Sequence, residues 1–217
     1  FLVIDLAFLG ANLIKIHDGG WFPLVIGVAV FTALATWKRG RTILADRFRE
    51  QLVPLDDFFE LMRIERPARV PGVAVFMTSN ASGCPPPLMQ NFMLNRVVHQ
   101  HVVLLTVTTE EVPWVDESQR LDLEELPAGF CRLRARYGFM QTPDVPALLA
   151  QAKVPDYAAE HTTFVLGRET VLASERPGMA VWRERLFAFM ARNAQSATAF
   201  FGLPSERVLE IGTQVDL

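Results

Sequence analysis

The sequence predicts a membrane-embedded helical hairpin followed by a cytosolic α/β domain. Three observations predict it. Trp21 to Trp37 is an uncharged run with tryptophan at both ends and basic residues immediately beyond it. Phe1 to Ile14 is apolar but too short to cross a bilayer. From about Arg69 onward, β-branched runs alternate with helically spaced apolar residues, the pattern of a mixed α/β core.

Composition agrees with such a composite. Half of the 217 residues are apolar, and the mean hydropathy is +0.21, between a soluble domain and a wholly membrane-embedded protein. The net charge is −3 with a pI of 5.8, so no global basic field for nucleic acid exists. Cys84 and Cys131 lie far apart and form no C-x-x-C pair; a reducing compartment fits. The chain opens at Phe1 inside an apolar stretch, with no basic region before it. That argues against a signal peptide and for the C-terminal piece of a longer protein.

The elements follow in order. Residues 1–16 (FLVIDLAFLGANLI and on) read as the second half of a preceding helix, and 15–20 as a short extracellular turn. Residues 19–37 read as a complete transmembrane helix; Trp21 to Trp37 alone rise about 25 Å. Pro23 sits in the first turn, where its missing N–H breaks no helical bond. Lys38, Arg39 and Arg41 follow, so the positive-inside rule puts this end in the cytoplasm of a cell with an inner (plasma) membrane. Residues 1–41 thus close a transmembrane domain. Residues 42–68 read as an amphipathic linker, with Leu44, Phe48 and Leu52 at helical spacing, a break at Pro54 and a second short helix ended by Arg66-Pro67.

Residues 69–217 read as the α/β domain. Val70 to Thr78 and Val102 to Thr108 are apolar on both faces and are expected as inner strands. Pro86 to Val98 reads as a helix and Phe130 to Phe139 as an alternating strand. Asp144 to Ala152 reads as helical, and Thr162–Leu166 with Thr170–Ala173 as a hairpin around Gly167. Met179 to Asn193 reads as a helix with Trp182, Leu186, Phe189 and Met190 on its apolar face, and Arg207 to Ile211 as the last strand.

Catalytic signatures are missing: there is no G-x-S-x-G, H-E-x-x-H, Walker A or G-x-G-x-x-G pattern. An enzyme is not expected, nor a cofactor. His99 and His101 could share a face, but no third metal ligand stands near, so no metal site is assigned. Asp5 and Asn12 are the polar exceptions in the apolar opening and are the ion-pathway candidates; a packing role is the competing reading. Asn80, Ser82 and Gly83 lie in a loop between a strand and a helix, where backbone N–H groups can hold an anion. Arg132, Arg134 and Arg136 form a basic stripe on one strand face. They complete a candidate anionic-ligand site, or else meet acidic neighbours.

Three stretches resemble the Kup potassium uptake transporters (the KUP/HAK/KT family). ANLIKIHDGGWFPLVIGVAVFTALATWKRGR is similar to that family's last transmembrane hairpin. RVPGVAVFMTS with HQHVVLLTVTTEEVPWV resembles the start of its C-terminal domain, and RVLEIGTQVDL its terminal motif. The resemblance implies a potassium–proton symporter of LeuT-like, broken-helix construction. It implies a cytosolic domain for assembly or regulation. The family's ion-binding residues lie on earlier helices, so no potassium site carries over to these residues. Partners expected of the intact protein are a potassium ion and a proton, membrane lipid and the remaining transmembrane helices, with a homodimer as an open question of assembly; nucleic acid is not among them. The alternative is a membrane-anchored α/β module that binds a nucleotide-type ligand.

Overall fold

A computed structural model describes residues 1–14, 16–50, 52–79, 83–172 and 178–216. The chain divides into two compact units. The first holds Phe1–Arg47 and Val171–Asn193 with the last two residues; the second holds Phe48–Thr170 and Ala194–Val215.

The first unit is helical. Helix α1 spans Leu2–Ile14 and α2 spans Trp21–Glu50, with a π-helical turn at Ile16–Gly20 between them. Gly19 there sits at φ +113°, a backbone region that glycine alone enters cheaply, so regular helix is interrupted where the turn was expected. Helix α2 is the one described helix long and apolar enough to cross a membrane. At its 30 residues it is about 45 Å long, longer than the hydrocarbon layer is thick. The expected break between a helix ending at Trp37 and a linker starting at residue 42 is absent. No proline stands between Pro23 and Pro54, and Leu44 and Phe48 continue the same helix. Helix α7, Val181–Arg192, belongs to this unit.

The second unit is a mixed α/β domain. Helix α3 (Leu55–Glu65) is stopped by Arg66 at φ 47°, as Arg66-Pro67 predicts. Then come β1 (Ala68–Met77), α4 (Pro86–Asn95), β2 (Val97–Glu110), α5 (Glu117–Arg120), β3 (Leu121–Leu126) and β4 (Phe130–Gly138). Helix α6 (Val145–Gln151), β5 (Thr162–Leu172), α8 (Ala197–Phe200) and β6 (Val208–Asp216) complete it, the last residues of β5 and β6 falling at the unit's limits. Asp144 caps α6 by accepting from the Ala147 N–H at 3.0 Å.

One six-stranded sheet runs in the order β3-β4-β2-β1-β5-β6. The four central strands β4, β2, β1 and β5 are parallel, and β3 pairs antiparallel on the β4 edge. Both strands expected inside the sheet are inside it. Ala74, Phe76, Val102 and Leu104 pack under Phe58 of α3 and Phe92 of α4 on one face. Val73, Val75, Val103 and Leu105 pack under Leu148 and Leu149 of α6 on the other. That two-sided burial is why these strands are continuously apolar.

The expected hairpin around Gly167 is not formed. β5 runs straight through it from Thr162 to Leu172, and Ala173 lies outside the described residues. Gly167 is small for another reason: a Cβ there would stand 3.1 Å from the Pro87 ring. Strand β3 was not expected. Its LDLEEL is too acidic to read as a strand, because it is an edge whose carboxylates face water and β4 arginines.

Candidate functional site

Asp5 and Asn12 stand two turns apart on α1, hence on one face. Both are exposed, as are the surrounding Leu2, Val3, Ile4, Leu6, Phe8 and Leu9. The Asn12 amide donates to the Phe8 carbonyl of its own helix at 2.9 Å, so it is already occupied locally.

Asn80 and Ser82 lie outside the described residues. Gly83 is described, and its lack of a side chain has a packing cause: a Cβ would fall 2.1 Å from a Leu52 methyl. Beside it, Cys84 N–H donates to the Val53 carbonyl at 2.9 Å. Strand β1, which precedes these residues in the chain, pairs with β2 on one side and β5 on the other. The chain passes from β1 through α4 to β2 on one face, and from β4 through α6 to β5 on the opposite face. Such a switch point opens a crevice between crossover connections.

The arginine stripe is divided. Arg132 is mostly buried and meets Glu124 at 2.5 Å; Arg134 meets Asp122 at 3.2 Å and Glu124 at 3.7 Å. These acids belong to β3, directly across the antiparallel register. Arg136 is exposed and has no ion pair among the described residues. It lies on β4, separated from β1 by β2. The acidic-neighbour reading describes Arg132 and Arg134.

His101 Nε2 meets Asp156 at 2.8 Å. His99 is half-buried with its Nδ1 unpartnered among the described residues, and burial lowers its pKa. No group of three metal-capable side chains exists among the described residues. Both cysteines are free and buried. Desolvation pushes the Cys84 thiol up to about 12, and desolvation with the nearby Glu125 charge pushes Cys131 up to about 11.

The most closely built polar arrangement was not foreseen. It is the seam between α2 and α7. Thr36, Gly40, Ile43 and Leu44 are the buried residues of α2, recurring at helical spacing. Phe187 of α7 is 1% exposed and packs on Ile43 and on Trp37, with ring centroids 5.4 Å apart. Gly40 forms the notch for this ring: a Cβ there would lie 2.4 to 2.6 Å from three of its atoms. The Arg183 Nε–H donates to the Thr36 hydroxyl at 3.0 Å, and Thr36 is fully buried. Glu184 is also buried, at 1% exposure, and neither of its oxygens has a partner among the described residues. The sequence held one signal for this seam: small Thr36 and Gly40 one turn apart where the apolar run gives way to basic residues.

Comparison with known proteins covers the whole chain. Residues 71–217 match the family model "K+ potassium transporter C-terminal domain", and residues 1–42 match "K+ potassium transporter integral membrane domain". The chain is 51% identical to "Probable potassium transport system protein Kup" of Myxococcus xanthus. It is 49% identical to "Probable potassium transport system protein Kup 2" of Rhizorhabdus wittichii. It is 48% identical to "Probable potassium transport system protein Kup 1" of Geobacter sulfurreducens. Each match covers 100% of this chain and 34 to 35% of the relative, so the chain spans about a third of the length of the relatives it matches. No solved structure matches it.

Proposed function

Because the chain belongs to the K+ potassium transporter family, we propose that it is the C-terminal portion of a transporter that takes up potassium together with a proton. The observation that carries this is the ordered match of both family models, membrane part first, over nearly the whole chain. In this reading α1 and α2 close a transmembrane domain of LeuT-like construction as its last hairpin, in an inner membrane. Lys38, Arg39 and Arg41 mark the cytoplasmic end of the part of α2 that crosses the membrane, and the α/β domain is cytosolic. The domain acts in assembly or regulation, and a homodimer is one form that assembly can take.

The uncharged span of α2 offers only Thr32 and Thr36 as polar side chains, and Thr36 is held by Arg183. Asp5 and Asn12 add two groups from α1. A potassium path needs more ligands than these, converging from several helices. The test is growth at low potassium in cells that lack potassium uptake. A chimera joining this chain to the remaining two thirds of the Myxococcus xanthus relative restores growth, and residues 1–217 alone do not. A chimera that reaches the membrane and fails to restore growth removes the transporter reading.

One observation favours a ligand site in the domain: β1, after which Asn80, Ser82 and Gly83 follow in sequence, lies at the sheet's switch point. A nucleotide-type ligand there would make the domain a sensor, whether attached to a transporter or only anchored by α2. Calorimetry of the folded chain against mononucleotides and cyclic dinucleotides tests it, and the absence of heat with all of them retires it.

A further inference from the structure

The outward face of α7 differs in kind from the face it turns to α2. Val181 and Trp182 open it, 54% and 57% exposed, and Phe189 follows at 59%. Arg185 and Arg192 are exposed between and beyond them. Trp182, Arg185, Phe189 and Arg192 recur at alternating steps of three and four, which keeps them on one side of the helix. No acid stands among them. The helix's single carboxylate, Glu184, is buried on the other side. Aromatic rings interleaved with arginine, without a compensating acid, suit an anionic surface that has an apolar layer beneath it.

The placement of α7 identifies that surface. Arg183 bonds Thr36, which lies inside the uncharged run of α2, just before Trp37 and the exposed Lys38 and Arg39. Trp182 is the next residue along α7, about 3.8 Å away between Cα atoms. Its indole is thereby held near the depth at which α2 leaves the hydrocarbon, the level that tryptophan prefers. From there α7 advances with α2, Arg183 beside Thr36 and Phe187 beside Gly40, so Arg185 and Arg192 lie further out, on the headgroup side of that level.

We propose that α7 is an interfacial helix whose Trp182–Arg185–Phe189–Arg192 face binds anionic lipid headgroups of the cytoplasmic leaflet. This rests on α2 being a membrane span with its basic end cytoplasmic. The lipid contact makes α7 a second membrane attachment of the chain, joined to the first through Thr36, Gly40 and Phe187.

The test uses the whole chain in lipid nanodiscs, of phosphatidylcholine alone or mixed with phosphatidylglycerol. A nitroxide at Phe189→Cys replaces one apolar ring by another. Native Cys84 and Cys131 are buried and stay unlabelled. Collision with lipid-soluble oxygen and with a water-soluble nickel chelate gives the depth of the label. In mixed discs the label at position 189 reads the interface; in phosphatidylcholine alone it shifts toward water. In mixed discs, Arg185→Gln or Arg192→Gln each lowers the lipid-bound to free ratio about five-fold. Labels at Val28→Cys on α2 and Val112→Cys in the α/β domain are the lipid and water references. If position 28 reads lipid while position 189 matches position 112 in both discs, the proposal falls and the span stands. Shielding of position 189 from both reagents marks a protein-covered face and also overturns the proposal. If position 28 itself reads water, the span and the proposal fall together.

Discussion

Replacing Gly40 by alanine should weaken the joint between α2 and α7, although alanine is the better helix former. Within a helix the exchange is favourable by about 1 kcal/mol. Against it stands the position of the new methyl, 2.4 to 2.6 Å from Cγ, Cδ2 and Cε2 of Phe187. Cγ is the root of the ring, so turning the ring about χ2 cannot clear it, and with Phe187 at 1% exposure a new χ1 rotamer has nowhere to swing. Overpacking of this kind costs about 1 to 3 kcal/mol, and contact with three ring atoms places it at the upper end. The net loss is about 1 to 2 kcal/mol. Amide hydrogen exchange along Val181–Arg192 should accelerate about five- to thirty-fold, at tenfold per 1.4 kcal/mol. The decisive comparison is made in the Phe187→Ala background. There the clash is gone and Gly40→Ala should slow exchange in α2, stabilising by about 1 kcal/mol. A change of sign between backgrounds is a coupling of about 2 to 3 kcal/mol, the size reached by residues in direct contact. If Gly40→Ala protects α7 equally in both backgrounds, Gly40 is not a notch for Phe187 and the seam is packed differently.

Glu184→Met should raise stability by roughly 1 to 3 kcal/mol, since the carboxylate is buried without a partner among the described residues; a lowered melting temperature would reveal a partner for it. His99 has a pKa lowered by burial, so its contribution is present above the ordinary value of 6.5 and is lost as pH falls through its folded value. His99→Gln should remove that part of the acid destabilisation, and unchanged melting curves between pH 7 and 5 would contradict it. At pH 8 Cys84 and Cys131, pushed up to about 12 and about 11, should react with maleimide only as the domain unfolds. Rapid labelling of either thiol in the native chain would show that its burial is wrong.

The sheet was legible because its strands obey a simple rule. Val73–Phe76 and Val102–Leu105 are apolar at every position and end up covered by helices on both faces. The errors arise where one residue type serves two purposes. Gly167 reads as a turn residue, yet it lies in mid-strand so that Pro87 can pass. LDLEEL is assigned no element from the sequence, yet pairs as β3 because Arg132 and Arg134 neutralise Glu124 and Asp122 across the register. The same pairing gives Arg132 and Arg134 the acidic neighbours that were one of the readings of the stripe. From sequence the arginines are visible as a set, while their partners lie in a segment whose short alternation of leucine and carboxylate is masked by its acidity. The α2 boundary failed differently. Hydropathy changes at Lys38, but the backbone has no reason to stop there, so a change of solvent was read as a change of structure.

Helix α7 shows the limit of periodicity most clearly. Trp182, Leu186, Phe189 and Met190 form a plausible core stripe, but Trp182 and Phe189 are exposed, and the buried pair is Glu184 and Phe187. An apolar stripe states only that a face avoids water. In a soluble domain the protein interior is the one place that satisfies it, and the inference from stripe to core is safe. Beside a membrane span there are two such places, and lipid accepts large aromatic side chains that a close-packed seam does not. The seam takes what suits near contact of two helices: a glycine, a threonine hydroxyl, one ring. The bulky residues are then left for the outer face, and the arginines among them favour the headgroup layer over a second protein core. On this reasoning the exposed aromatic residues of α7 are no defect of packing. Their exchange for polar side chains should leave the Thr36–Arg183 and Gly40–Phe187 contacts intact while releasing the helix from lipid. A Trp182→Ser, Phe189→Ser chain should therefore keep native exchange protection in α7 in detergent. In nanodiscs containing phosphatidylglycerol, a nitroxide carried next to the face at Ala188→Cys should move toward water. Loss of protection in detergent would instead place the two rings in the core of the unit.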